Sequence, residues 1–245
     1  MNVLIIIVIL ILVGVVIHYI TKDVNTLSGL TSGETVQKIE ASSLATTYGG
    51  DNASNYSYSI WIYIDNWNYK YNDRKPIFAR GGGAAAQDAA ADAAKPCPAV
   101  VLGAVENNME VMTTCYAGDQ SSSSVNTTVN ICSVQNVPIQ KWTNVIVSVY
   151  GRTQDVYLDG KLVRTCVLPG VAYIDSTQPV YITPNGGFSG WTSRFQYFAE
   201  SMDPQHAWNI YKAGYGGSWL GNIFGKYQVK ISLMEGHTET KAVQF

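Results

Sequence analysis

The chain has 245 residues, enough for one sizeable core and one or two domains. Charged residues make up 14% and the net charge is −2, which excludes the clustered basic surface that nucleic acid requires. Sixteen tyrosines and 22 glycines, with few helix-forming runs, favour an all-β domain over a helical one.

The first element is apolar. Residues 3–17 carry no polar side chain, and His18, Tyr19 and Ile20 extend the run to the first charge at Lys22. About 20 residues rising 1.5 Å each would span roughly 30 Å, the thickness of a bilayer's hydrocarbon core. A cleaved signal peptide would want a basic start, a shorter apolar stretch and a small-residue cleavage site, and none is present. Residues 1–21 are therefore expected to be an uncleaved single-span anchor in a lipid bilayer. Flanking charge is too sparse to orient it.

Residues 22–54 are rich in Ser, Thr and Gly and are expected to form a stalk, with a first strand near residues 35–39. Residues 55–245 are expected to form a β-sandwich with a C-terminal strand extension. "YSYSIWIYIDNW", residues 56–67, alternates polar and apolar side chains at period two, the pattern of a strand. "KPIFAR" is a second short strand. The Ala-rich stretch at 84–94 differs in composition from the rest and supports no functional argument. "PAVVLGAVENNMEVMTT" is expected to be a hairpin turning at Asn107-Asn108, followed by a Ser-rich loop. Residues 142–165 supply three strands, the second and third joined at Asp159-Gly160, a pair that tolerates positive φ. "PVYIT" and "SRFQYFA" are further strands, and "GKYQVKISLME" is the last. "DPQHAWNIYKAG" is the one soluble helix, with Asp203 as its N-cap, Pro204 in its first turn and Gly214 at its end.

The order of "YSIWIYI", "PIFARG", the hairpin, "VPIQKWTNVIVSV", "DVYLDGKLV" and "SRFQYFAESMDPQHAWNIYKAG" resembles the laminin G-like, concanavalin A-like domains. In that family a Trp-Thr-x-Val strand precedes a strand ending Tyr-x-Asp-Gly, and a short helix follows the late strands. The resemblance covers roughly residues 55–215 and implies a jelly-roll sandwich. An anchor joined to one such domain also resembles the virion membrane and minor capsid proteins of large DNA viruses, which implies capsid or other membrane-associated proteins as partners.

Catalytic chemistry finds little footing. Glycosidases on this fold use a Glu-x-Asp-x-Glu strand, which is absent, and Glu106 and Glu110 merely bracket the expected turn. His18, His206 and His237 fit neither a nucleophile–base series nor metal-ligand spacing. The expected role is non-catalytic and without a cofactor, although Asp119, Asp155 and Asp159 could lend oxygens to a Ca2+ ion. Trp67, Tyr69 and Tyr71 recur at period two and could stack on a glycan, as in a membrane-displayed lectin. Trp191, Trp219 and Phe224 lie in dispersed loops, as protein-contact anchors do. The favoured role is a structural link between membrane and protein shell; the lectin is the alternative.

Four cysteines allow three pairings. A turn at Asn107-Asn108 brings Cys97 near Cys115 and leaves Cys132 for Cys166. Cys115 with Cys132, or four buried thiols, are the alternatives. Asn52, Asn55 and Asn126 each begin an Asn-x-Ser/Thr glycosylation sequon.

Overall fold

A computed structural model describes residues 12, 14, 25–44, 55–81, 95–117 and 126–216, together with the backbone of 230–235 and 238–244. Leu12 and Gly14 are helical, and the rest of the expected anchor at 1–21 lies outside the described residues. Among the described residues no helix is long and apolar enough to cross a membrane. The chain divides into two units, Thr26–Tyr215 and a second made of the two chain ends, Met1–Asn25 with Gly216–Phe245.

In chain order the strands are β1 (Thr26–Ser28), β2 (Thr31–Ser32), β3 (Gln37–Ile39), β4 (Tyr56–Asn66), β5 (Lys75–Arg80), β6 (Ala99–Leu102), β7 (Asn108–Tyr116) and β8 (Thr127–Gln135). Then follow β9 (Trp142–Tyr150), β10 (Thr153–Leu158), β11 (Lys161–Val167), β12 (Val180–Ile182) and β13 (Ser189–Phe198), and helix α1 (Pro204–Ala213). In the second unit β14 (Lys230–Glu235) and β15 (Thr238–Gln244) form their own antiparallel hairpin. One seven-stranded sheet runs β1-β13-β4-β9-β10-β11, with β2 also on β13; a six-stranded sheet runs β3-β12-β5-β6-β7-β8.

Alternation along β4 explains the sandwich. Tyr56, Tyr58, Ile60, Ile62 and Ile64 point between the sheets and join the main core, each stabilising the fold by about 2 kcal/mol of burial. Tyr58, Phe78 and Phe195 meet there with ring centroids 5.2 to 5.8 Å apart. The other face of the seven-stranded sheet is partly covered by α1, whose Ala207 and Ile210 pack on Ile146, Tyr157, Phe198 and Met202. Helix α1 forms as its sequence dictates: the Asp203 carboxylate accepts the His206 N–H at 2.7 Å, Pro204 occupies the first turn, and Gly214 ends it at φ 75°.

Three expectations need correction. The stalk reading of residues 22–54 is too long, because β1 and β2 pair with β13 and β3 pairs with β12, so the sandwich unit begins at Thr26. It ends at Tyr215 rather than running on to the C-terminus. Strand β8 falls where only a Ser-rich loop was expected; as a terminal strand it alternates buried Cys132 and Val134 with exposed Ile131, Ser133 and Gln135, a weak apolar signal.

Of the two expected cysteine pairings one forms and the other does not. Cys132 and Cys166 are joined, with Cα atoms 6.0 Å apart, whereas Cys97 and Cys115 are separate buried thiols. The hairpin does not turn at Asn107-Asn108: Leu102 pairs with Met109, and Gly103 and Asn108 close the loop. The Thr114 N–H donates to Pro96 O, which sets Cys97 across from Thr113, two positions from Cys115. The bridge that does form ties β8 to β11, the terminal strands of the two sheets.

Candidate functional site

The expected glycan-contact residues sit on the segment after β4, but most of their surface is committed. The Trp67 indole N–H donates to Val105 O at 3.1 Å, and its ring packs against the main core. The Lys75 ammonium lies 4.9 Å from the Trp67 ring centroid and donates to Gly103 O at 3.0 Å. Lys75 is buried, which lowers its pKa from the usual lysine value. The Tyr69 hydroxyl donates to Gly186 O at 3.1 Å, and the Lys70 ammonium donates to Asn185 O. Tyr71 is left exposed. These residues bind the segment to two neighbouring loops and do not make a shared aromatic surface.

Such a surface forms elsewhere, on the outer face of the seven-stranded sheet. Trp191 of β13 pairs with Tyr63 of β4, and Tyr63 pairs with Trp142 of β9. Three aromatic side chains therefore stand abreast on neighbouring strands, spanning two strand spacings, about 10 Å. Gly190 makes this approach close, since a Cβ there would lie 1.9 Å from Tyr63 O, and its φ of +148° suits glycine alone. The row behind it, Ser193–Trp61–Asn144, is buried.

Tyr215 completes the group. The Ser193 hydroxyl donates to Tyr215 O at 2.9 Å, and the Arg194 guanidinium donates to Gly214 O at 3.1 Å. So held, the Tyr215 ring stacks on Trp142, centroids 4.6 Å apart and planes within 8°, and meets Trp61 edge-on at 6.1 Å. Trp61 in turn stacks on Tyr211 of α1. Trp191 is 48% exposed and Tyr215 is 41% exposed, while Tyr63 and Trp142 are half-buried.

Polar groups border the row. Ser32 pairs with Trp191, and exposed Asp65 lies two residues beyond Tyr63, where β4 shifts register against β13. The Lys141 ammonium meets the Asp159 carboxylate at 2.7 Å beside Trp142; this partner holds the lysine's pKa above its usual value. Aromatic faces rimmed by hydroxyl, carboxylate and ammonium groups can hold a ligand with both apolar and hydroxylated surfaces.

The other candidates are not brought together. Trp219 and Phe224 lie outside the described residues, as does Asp119. The Asp159 carboxylate accepts the Asn144 N–H as well as Lys141, and the Asp155 carboxylate accepts the Thr165 hydroxyl at 2.6 Å. Among the described residues no group of three or more His, Cys, Asp or Glu side chains is placed to hold a metal ion. Glu110 is ion-paired with Arg74 at 2.9 Å. Sequence reasoning named Trp191 but missed Tyr63, Trp142 and Tyr215. The period-two spacing of Trp61 and Tyr63 was the available signal.

Residues 38–209 match the model of the concanavalin A-like lectin/glucanases superfamily, a laminin G-type domain. No curated protein matches the chain. Among solved structures, the binding domain of botulinum neurotoxin serotype D shares 13% identity at a TM-score of 0.52, over 79% of this chain and 51% of its own. The serotype D ligand-binding domain in complex with N-acetylneuraminic acid shares 14% identity at a TM-score of 0.47, over 78% of this chain and 49% of its own. The chain thus spans about half the length of these structures; at 13% identity the first of them shows a common fold alone. Through the match over residues 38–209, and with a sandwich to go with it, the chain belongs to the concanavalin A-like lectin/glucanases superfamily.

Proposed function

We propose that this chain is a non-catalytic carbohydrate-binding module, held at a membrane by its first 21 residues, whose sugar-contacting surface is the row Trp191–Tyr63–Trp142 with Tyr215. The observation that carries the reading is the strand register, which sets three aromatic side chains abreast and leaves Trp191 exposed beside Ser32. The apolar faces of pyranose rings stack on such rings, and the flanking polar groups reach their hydroxyls. Membership in a superfamily of lectins and glucanases supports this class of ligand.

The test is a glycan array and polysaccharide pull-down with the full-length chain in detergent or nanodiscs, in native form and as Trp191→Ala and Tyr215→Ala. Each substitution should weaken binding at least about tenfold, equivalent to about 1.4 kcal/mol, with the fold retained. Carbohydrate binding that both variants preserve, or none by the native chain, sinks the proposal.

A second reading, a virion component linking membrane to protein shell, is favoured by the same exposure of Trp191, since an exposed Trp also suits a protein contact. Trp219 and Phe224 belong to that reading. It predicts that Trp219→Ala with Phe224→Ala blocks incorporation into particles while carbohydrate binding is absent.

A further inference from the structure

The function proposed above leaves the three glycosylation sequons unused. Asn52 lies outside the described residues, and the structure separates the other two. Asn55 directly precedes β4, and its side-chain oxygen accepts the Gly151 N–H at 2.9 Å. The residue beside it, Tyr56, is buried in the core. A sugar on this amide would have to stand at the turn that joins β9 to β10. Asn126 directly precedes β8 and is exposed. Its backbone carbonyl accepts the Ala117 N–H at 2.9 Å, so the ladder is kept whatever the side chain carries.

A second observation comes from the same strand. Six residues beyond Asn126, Cys132 forms the bridge to Cys166. Disulfides form and persist in oxidising compartments, and in cells with a secretory pathway that is where asparagine is glycosylated. We propose that the sandwich faces the lumen and that Asn126 carries an N-linked glycan. The step joins the anomeric carbon of a sugar to the Asn126 side-chain nitrogen. The bond from that carbon to the pyrophosphate of a lipid-linked oligosaccharide donor breaks, and the nitrogen gives up one proton. Thr128 supplies the hydroxyl that the sequon needs.

The position also has a use. Strand β8 ends its sheet, and a hydrated glycan at its start would hinder strand addition by another chain. The aromatic row lies on the other sheet, where this glycan leaves it free.

The full-length chain, expressed in eukaryotic cells, should show an endoglycosidase-sensitive gel shift. Peptide mapping should place the sugar on Asn126. Asn126→Gln and Thr128→Ala should each abolish the shift; Thr128→Ser, which keeps the hydroxyl, should preserve it, and Asn55→Gln should leave it unchanged. Absence of any shift in the native chain overturns the proposal. So does a shift that survives Asn126→Gln and maps to Asn52 or Asn55.

Discussion

Two aromatic groups border the same strand, β4, and they behave oppositely. Trp67, Tyr69 and Tyr71 are neighbours in sequence, yet the fold spends Trp67 and Tyr69 on Val105 O, Gly186 O and Lys75. Tyr63, Trp142, Trp191 and Tyr215 are spread over more than half the chain, yet strand register and two hydrogen bonds gather them on one face. Closeness in sequence put aromatics under loops, and pairing between strands brought them to the surface. The lesson is that an aromatic cluster on a β-sandwich has to be counted across the strands.

Both regions hang on one core, so the largest effect should strike them together. Burial pushes the Cys97 thiol from an ordinary 9.0 up to about 12 and raises the Tyr56 phenol well above its usual value. Groups raised in the folded state favour folding fully below their unfolded pKa, and that contribution is lost as pH rises towards the folded one. Stability should therefore hold to about pH 9 and fall cooperatively through about pH 12. Near-UV circular dichroism of the row that is lost well before the core unfolds would show that the row is not built on that core.

The next effect separates the regions. Trp67→Ala should cost about 3 kcal/mol in chemical denaturation, because it empties a site at the core and leaves Lys75 without its ring. Carbohydrate binding by the folded fraction should persist. A loss below about 1 kcal/mol would mean that the segment after β4 is a free surface after all.

Ser193→Ala probes how the row is held. It removes the donor to Tyr215 O and should cost about 1 kcal/mol. The near-UV signal from the Trp142–Tyr215 stack should weaken with it; an unchanged spectrum would show that α1 positions Tyr215 without help from β13. The smallest effect belongs to Tyr71→Ala, at an exposed position, which should alter stability by less than about 0.5 kcal/mol and leave binding intact.

Strong local patterns carried most of the fold. The alternation of β4, the Asp159-Gly160 turn at φ 50° and 72°, and the Asp203 to Gly214 helix signals all appear where their residues imply. Strands β1, β2 and β8 were hidden because terminal strands built from Ser, Thr and Asn need bury only part of one face. The site was less legible. Trp191 is unremarkable until its partner is known to be Tyr63, and β13 carries bulges that shift its register on both sides of that pair. Cys97 and Cys115 mislead for the same reason, since a turn placed too late in the hairpin changes which side chains meet.

The bridge between β8 and β11 has a mechanical consequence. It fastens the two sheets along one side, while along the other side the chain itself passes from β1 and β2 in one sheet to β3 in the other. The sandwich is thus laced on both sides and resists being pried open like a book. Tension arriving from upstream of Thr26 enters through β1, whose partner β13 also bears Trp191. A pull on a ligand stacked on Trp191 would therefore reach the upstream chain through the pairing of β13 with β1 and β2.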